Sequence, residues 1–248
     1  MLTFHFDNRR DISIPGNVEE TLSFCIEHLL TAYYASIKDH GAFYIALSGG
    51  STPKAIFEKL TSSPIKEKID WTKVHLFWGD ERSAPPENPE NNYHMAMEAG
   101  FKNMGIPTEQ IHRMVAEKNI GTNAEVYSQT LAKVLKGRPL DYTILGMGED
   151  GHTASLFPHT EALNEEDALA VANHIPQKNT WRMTLTYPCI NNSSQIVIYV
   201  IGSSKKQMLE RVFKEDAHFV DLPIVKIGTK KHKALWICDT AAAELLKK

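Results

Sequence analysis

The sequence predicts an α/β protein with a doubly wound, mostly parallel sheet and helices on both faces. Segments of helical periodicity alternate with short apolar segments along the chain, the pattern of repeated strand–helix units. The apolar segments are continuous runs rather than alternating ones, as strands covered on both faces require. Glycine-rich or charged clusters follow directly on several of these runs. Sheets of this kind bind ligands there, beyond the carboxyl ends of their strands.

Residues 17–38 place Val18, Leu22, Cys25, Ile26, Leu29 and Tyr33 on one helical face. "FYIAL" (43–47) is a strand ending at Ser48, and a helix is expected from Pro53, since proline suits a first helical turn. "KVHLFW" (73–78) is a strand ending at Gly79, residues 123–135 are a helix, and "DYTIL" (141–145) is a strand. "RMTLT" (182–186) and "QIVIYVI" (195–201) are further strands. Met208, Leu209, Val212 and Phe213 have helical spacing within 203–213. "KALWIC" (233–238) is the last strand and "AAAELLKK" the last helix. There is no internal repeat, and the Pro/Asn-rich stretch 83–92 is too short for a linker. Residues 1–248 are therefore expected to form one domain.

Net charge is −3 and the isoelectric point lies near 6.4. No basic field exists to recruit nucleic acid or an anionic membrane, so an anionic ligand must be held by a local site. The three cysteines, Cys25, Cys189 and Cys238, are far apart and form no C-x-x-C pair, which fits a reducing compartment and argues against both a disulfide framework and a thiolate zinc site. The first residues lack a long apolar core behind a basic start, and no apolar run approaches the roughly 18 residues of a membrane span. A cytoplasmic monomer acting on a small molecule is expected.

Three clusters at strand ends carry chemistry. After "FYIAL" comes Ser48-Gly49-Gly50-Ser51-Thr52-Pro53, with two glycines and three hydroxyls opening a helix. Helix N-termini favour anions, so the loop reads as a phosphate cradle, although Ser/Gly/Thr clusters more often serve as plain turns and caps. It is not a P-loop, because Gly-Lys-Ser/Thr is missing. After "KVHLFW" comes Gly79-Asp80-Glu81-Arg82, two carboxylates and a guanidinium; a lone triplet of this kind is usually a solvated turn. After "DYTIL" comes "GMGEDGH", which spells G-x-G-x-x-G. A dinucleotide loop would lay its amides on a pyrophosphate, and Glu149 and Asp150 would repel that anion. The better reading is a loop presenting Asp150 and His152 at the sheet edge, with the histidine as general base. Arg182 at the start of "RMTLT" and Lys205 just after Gly202 add two cations.

Taken together, "ALSGGSTPKAIFEKL", "LFWGDERSAPPENPENNY", "LGMGEDGHTASLFP", "RMTLTYPCIN" and "GSSK" resemble the 6-phosphogluconolactonase family, within the glucosamine-6-phosphate isomerase/6-phosphogluconolactonase superfamily. The resemblance runs from about residue 10 to about residue 240. It implies hydrolysis of 6-phosphoglucono-1,5-lactone, the second step of the oxidative pentose phosphate pathway, without metal or cofactor. His152 resembles the catalytic histidine and Arg82 the active-site arginine. Ser48, Gly49, Gly50, Ser51, Thr52, Arg182 and Lys205 match phosphate-contacting positions. Asn91-Asn92 stands where the family usually has Ser-Asn, and Lys206 where a small residue is common.

On this reading His152 takes the proton of water and later protonates the ring oxygen. Arg82 stabilises the oxyanion, and Asp80 and Asp150 orient these two groups. The alternatives are a glucosamine-6-phosphate deaminase/isomerase and a non-catalytic sugar-phosphate-binding regulator. The deaminase branch typically reads "GHIAFNEP", whereas "GHTASLFP" here lacks its ring-opening glutamate. A non-catalytic regulator would not need Asp150 beside His152. No metal is expected: the acidic cluster includes Arg82, and no second histidine stands at ligand spacing.

Overall fold

The computed structural model describes residues 2–214 and 216–246. Its large sheet holds seven strands in the order β1 (Leu2–His5), β2 (Arg10–Ile14), β10 (Ala234–Cys238), β9 (Gln195–Val200), β6 (Tyr142–Gly146), β3 (Phe43–Leu47) and β4 (Val74–Trp78). All neighbours are parallel except β1 and β2, which pair antiparallel at one edge. The chain grows outward from β3 to β4 on one side and from β6 through β9 to β10 on the other. The switch in direction lies between β3 and β6, which share only Ile45↔Tyr142 and Ala46↔Thr143. Such a switch opens a crevice at the carboxyl ends of the strands.

Side-chain alternation shows how the faces are covered. Tyr142 turns to α1 (Val18–His40), where His28 Nδ1 lies 2.9 Å from its hydroxyl. Thr143, next in the strand, turns to the opposite face and bonds Ser193, just after α5 (Tyr187–Asn191). α2 (Ser51–Leu60) packs beside α1. α4 (Ile120–Leu135) sends the Tyr127 hydroxyl to the backbone N–H of Trp78, 2.9 Å away. Trp78, Trp236, Phe43, Phe57 and Phe77 are fully buried between these layers.

A second, three-stranded antiparallel sheet was not anticipated. It comprises β5 (Asp80–Arg82), β8 (Thr180–Leu185) and β7 (Ala170–Ile175). "RMTLT", expected among the parallel strands, lies in this sheet, and the Gly-Asp-Glu-Arg segment expected as a turn is its short edge strand. Gly79 joins the two sheets, donating to Leu47 O and accepting from Leu185 N, both at 2.8 Å. The expected C-terminal helix is also corrected. Residues 240–245 form turns, held by Asp239, whose carboxylate accepts from Ala242 N and Gly202 N. A run this short gains little from helix cooperativity. Lys247 and Lys248 lie outside the described residues. The helix expected from Pro53 begins two residues earlier, at Ser51, with Gly50 at its N-cap.

Candidate active site

The loops after β3, β4 and β6 meet in a cavity of about 210 Å³ at the topological switch. Ser48, Gly49, Gly50, Asp80, Arg82, His152 and Arg182 all line it.

His152 is fixed from two sides. Its Nδ1 lies in a short contact with Asp150 Oδ1, and its ring stacks on Phe157 with centroids 4.0 Å apart and planes 15° apart. Among the described residues Nε2 has no partner, so it is the nitrogen left for chemistry. Burial opposes ionisation of Asp150, but the hydrogen bonds and charge of His152 outweigh it and hold the carboxyl below its ordinary value. Gly148 leaves room for this arrangement: a Cβ built there would overlap the imidazole. Gly151 (φ 77°) turns the loop back, so that Gly148 N donates to His152 O at 2.9 Å.

Asp80 is buried and held by others: Ser155 Oγ donates to one oxygen at 2.6 Å and Asn92 Nδ2 to the other at 3.2 Å. Among the described residues it bonds neither His152 nor Arg82, which the orienting role expected for it would need. Its charge instead acts on Arg182, opposing the lowering of that pKa by burial and by Arg82. Glu81 is fully buried and ties β5 to α3 (Asn92–Glu98), accepting the backbone N–H groups of Arg82, Asn92 and Tyr93 at 2.7–2.8 Å. Burial pushes its carboxyl up to about 7 against those three donors.

Arg82 and Arg182 stand directly opposite each other across β5 and β8. Like charges in this position repel. Both Nε atoms are buried with no hydrogen-bond partner among the described residues. Buried unpaired donors are costly, and an anion here would satisfy them; the Arg82 Nη1 group already donates to Glu90 O.

The family profile described as "Glucosamine-6-phosphate isomerases/6-phosphogluconolactonase" matches residues 17–236. The chain belongs to this family. A 6-phosphogluconolactonase of Chlamydia pneumoniae is 43% identical over 212 residues, 85% of this chain and 80% of that one. One of Nostoc sp. is 40% identical over 244 residues, covering 96% and 99%. The crystal structure of the devB protein superposes with a TM-score of 0.87 at 30% identity, covering 96% of this chain and 100% of that one.

Within this family member, not every residue singled out in the sequence reaches the cavity. Ser51 and Thr52 stand on the first turn of α2, outside the lining. They open a helix whose first amides lack intrahelical partners. Lys205 is also outside the lining; its Nζ donates at 2.9 Å to the carbonyl of Met147, which lines the cavity. Ser155, Phe157 and Lys178 were missed. The first two sit within the quoted "GHTASLFP"; Phe157 could have been found by asking what packs on His152, and Ser155 by asking what holds Asp80. Lys178 stands four residues before Arg182 and could be placed only once the β7–β8 hairpin was recognised. Among the described residues no three His, Cys, Asp or Glu side chains converge as metal ligands, and no helix is long and apolar enough to cross a membrane.

Proposed function

We propose that the protein hydrolyses 6-phosphoglucono-1,5-lactone to 6-phosphogluconate, as its curated relatives are named. The observation that carries this reading is His152, held by Asp150, sharing one cavity with a glycine loop and two arginines paired across β5 and β8. A base, an oxyanion partner and a phosphate seat are what the reaction needs.

His152 Nε2 removes a proton from water as the water oxygen bonds C1 of the lactone. Asp150 keeps the proton on Nδ1 and stabilises the imidazolium. Arg82 faces the negative carbonyl oxygen. The C1–O5 ring bond then breaks, O5 takes the proton from Nε2, and the new carboxyl releases its own proton to solvent. Phosphate rests between Ser48–Gly50 and Arg182, holding the ring for attack. Positioned acid–base and oxyanion contacts of this kind are each worth about 10²- to 10³-fold in rate. The three buried free cysteines fit a reducing cytoplasm, which we propose as the compartment.

The test is a coupled assay with 6-phosphogluconate dehydrogenase and freshly formed lactone. NADPH should appear faster than spontaneous hydrolysis allows; a rate equal to background would reject the reading. Arg182→Ala should raise KM about tenfold and leave kcat within about threefold, because a phosphate contact is made equally in ground and transition states. A fall in kcat at constant KM would move Arg182 to the reacting carbonyl. Activity should survive exhaustive dialysis against EDTA and be unchanged by added Zn²⁺, Mg²⁺ or Ca²⁺. Loss on EDTA treatment, restored by one of these ions, would replace the mechanism.

A further inference from the structure

We propose that Lys178 supplies a third positive charge at the reacting end of the cavity, held for the carboxylate that hydrolysis creates and for the oxyanion that precedes it. The proposal rests on the lactonase reading above.

Lys178 ends the tight turn Pro176–Lys178 of the β7–β8 hairpin, which Asn179 closes in the left-handed region (φ 45°). The turn is tied to the catalytic loop, because Gln177 Nε2 donates to Pro158 O at 2.9 Å. The preceding residue, Phe157, connects the two functional groups. His152 stacks on its ring, and the Lys178 amine lies 5.4 Å from the centre of the same ring. The amine thus belongs to the histidine end of the cavity, which it lines.

No carboxylate lies within ion-pair distance of Lys178 among the described residues. Asp150 is engaged by His152, and Asp80 by Ser155 and Asn92. The lining therefore carries Arg82, Arg182 and Lys178 against Asp80 alone. The lactone has one anionic group, its phosphate, and the product has two. The second appears at C1, where His152 works, and Lys178 is the cation at that end with no assigned partner.

Calorimetry with two ligands of equal chain length separates the ends of the site. 6-Phosphogluconate carries phosphate and carboxylate; glucitol 6-phosphate carries the phosphate and a hydroxymethyl group instead. Lys178→Met, which removes the amine and keeps an unbranched apolar side chain, should weaken 6-phosphogluconate about tenfold, the typical loss of one charge-assisted hydrogen bond. Glucitol 6-phosphate should bind unchanged. Lys178→Arg should restore 6-phosphogluconate binding to within about threefold, since a guanidinium also pairs with carboxylate. In the coupled assay Lys178→Met should lower kcat by up to about tenfold with little change in KM. Equal weakening of both ligands would put Lys178 on the phosphate, and no weakening of either would remove it from the site; both results overturn the proposal. The binding measurements need no turnover, so a wild-type protein that binds 6-phosphogluconate without hydrolysing the lactone would reject the lactonase reading and still decide where Lys178 acts.

Discussion

His152→Ala is expected to lose about 10² or more in kcat, the usual contribution of a positioned general base. Truncation removes Nε2, the ring nitrogen without a protein partner, and leaves Asp150 with no base to hold. The fold should notice little. The side chain is partly exposed, with 24% of its surface accessible. The loop keeps its own ties, from Gly148 N to His152 O, from Thr153 Oγ1 to Gly146 O, and from Ile224 N to Gly151 O. Background-corrected turnover and a thermal melt, measured on the same sample, check both halves. Near wild-type turnover would sink the general-base assignment; a large drop in melting temperature would make the loss of rate uninformative, and imidazole added to the variant would then be the arbiter.

A single methyl group should do almost as much damage. Gly148→Ala is expected to cost about 10²-fold in kcat, because the new Cβ would occupy space now filled by the His152 ring. The backbone at 148 is not in the left-handed region, so alanine brings no conformational strain and the effect is steric. The ring must leave the Phe157 stack and its contact with Asp150, and a misplacement of about 1 Å is enough for such a loss. Gly151 differs: at φ 77° and pressed against Leu222, it would destabilise the loop itself if substituted. An unchanged kcat for Gly148→Ala, with a melting temperature near wild type, would mean that His152 has a second productive seat and that its stacking is incidental.

The parallel core was legible because its strands are buried on both faces, so "FYIAL" and "ALWIC" are unbroken apolar runs and "VHLFW" is broken only by His75. The small sheet was not, for the same reason in reverse. β7 has exposed or half-buried residues at Val171, Ala172 and His174, and β5 is three charged residues. Neither shows a run or a clean alternation. Glycine spacing and the Asp150–His152 neighbourhood placed the three loops correctly, since each follows a core strand. What could not be read was contact across chain distance. Asp80 meets Ser155 and Asn92 rather than the groups expected for it, and Lys178 reaches the cavity through a hairpin whose strands carry no clear signal. Ser51, Thr52 and Lys205 lie beside the residues that line the cavity: two follow Gly50 on the first turn of α2, and the third bonds Met147 O.

The two opposed arginines have a consequence for how a ligand is met. Their spacing is set by the main-chain register of β5 against β8, not by anything the guanidinium groups do for each other. The repulsion between them is therefore part of the free energy of folding and is already present before any ligand arrives. An incoming anion meets two positive charges whose backbone positions the strands already hold, with little reorganisation to wait for. In such preorganised sites charge is stabilised at its full strength from the first moment of contact. The same register that readies the site for an anion also sets like charges against each other across β5 and β8.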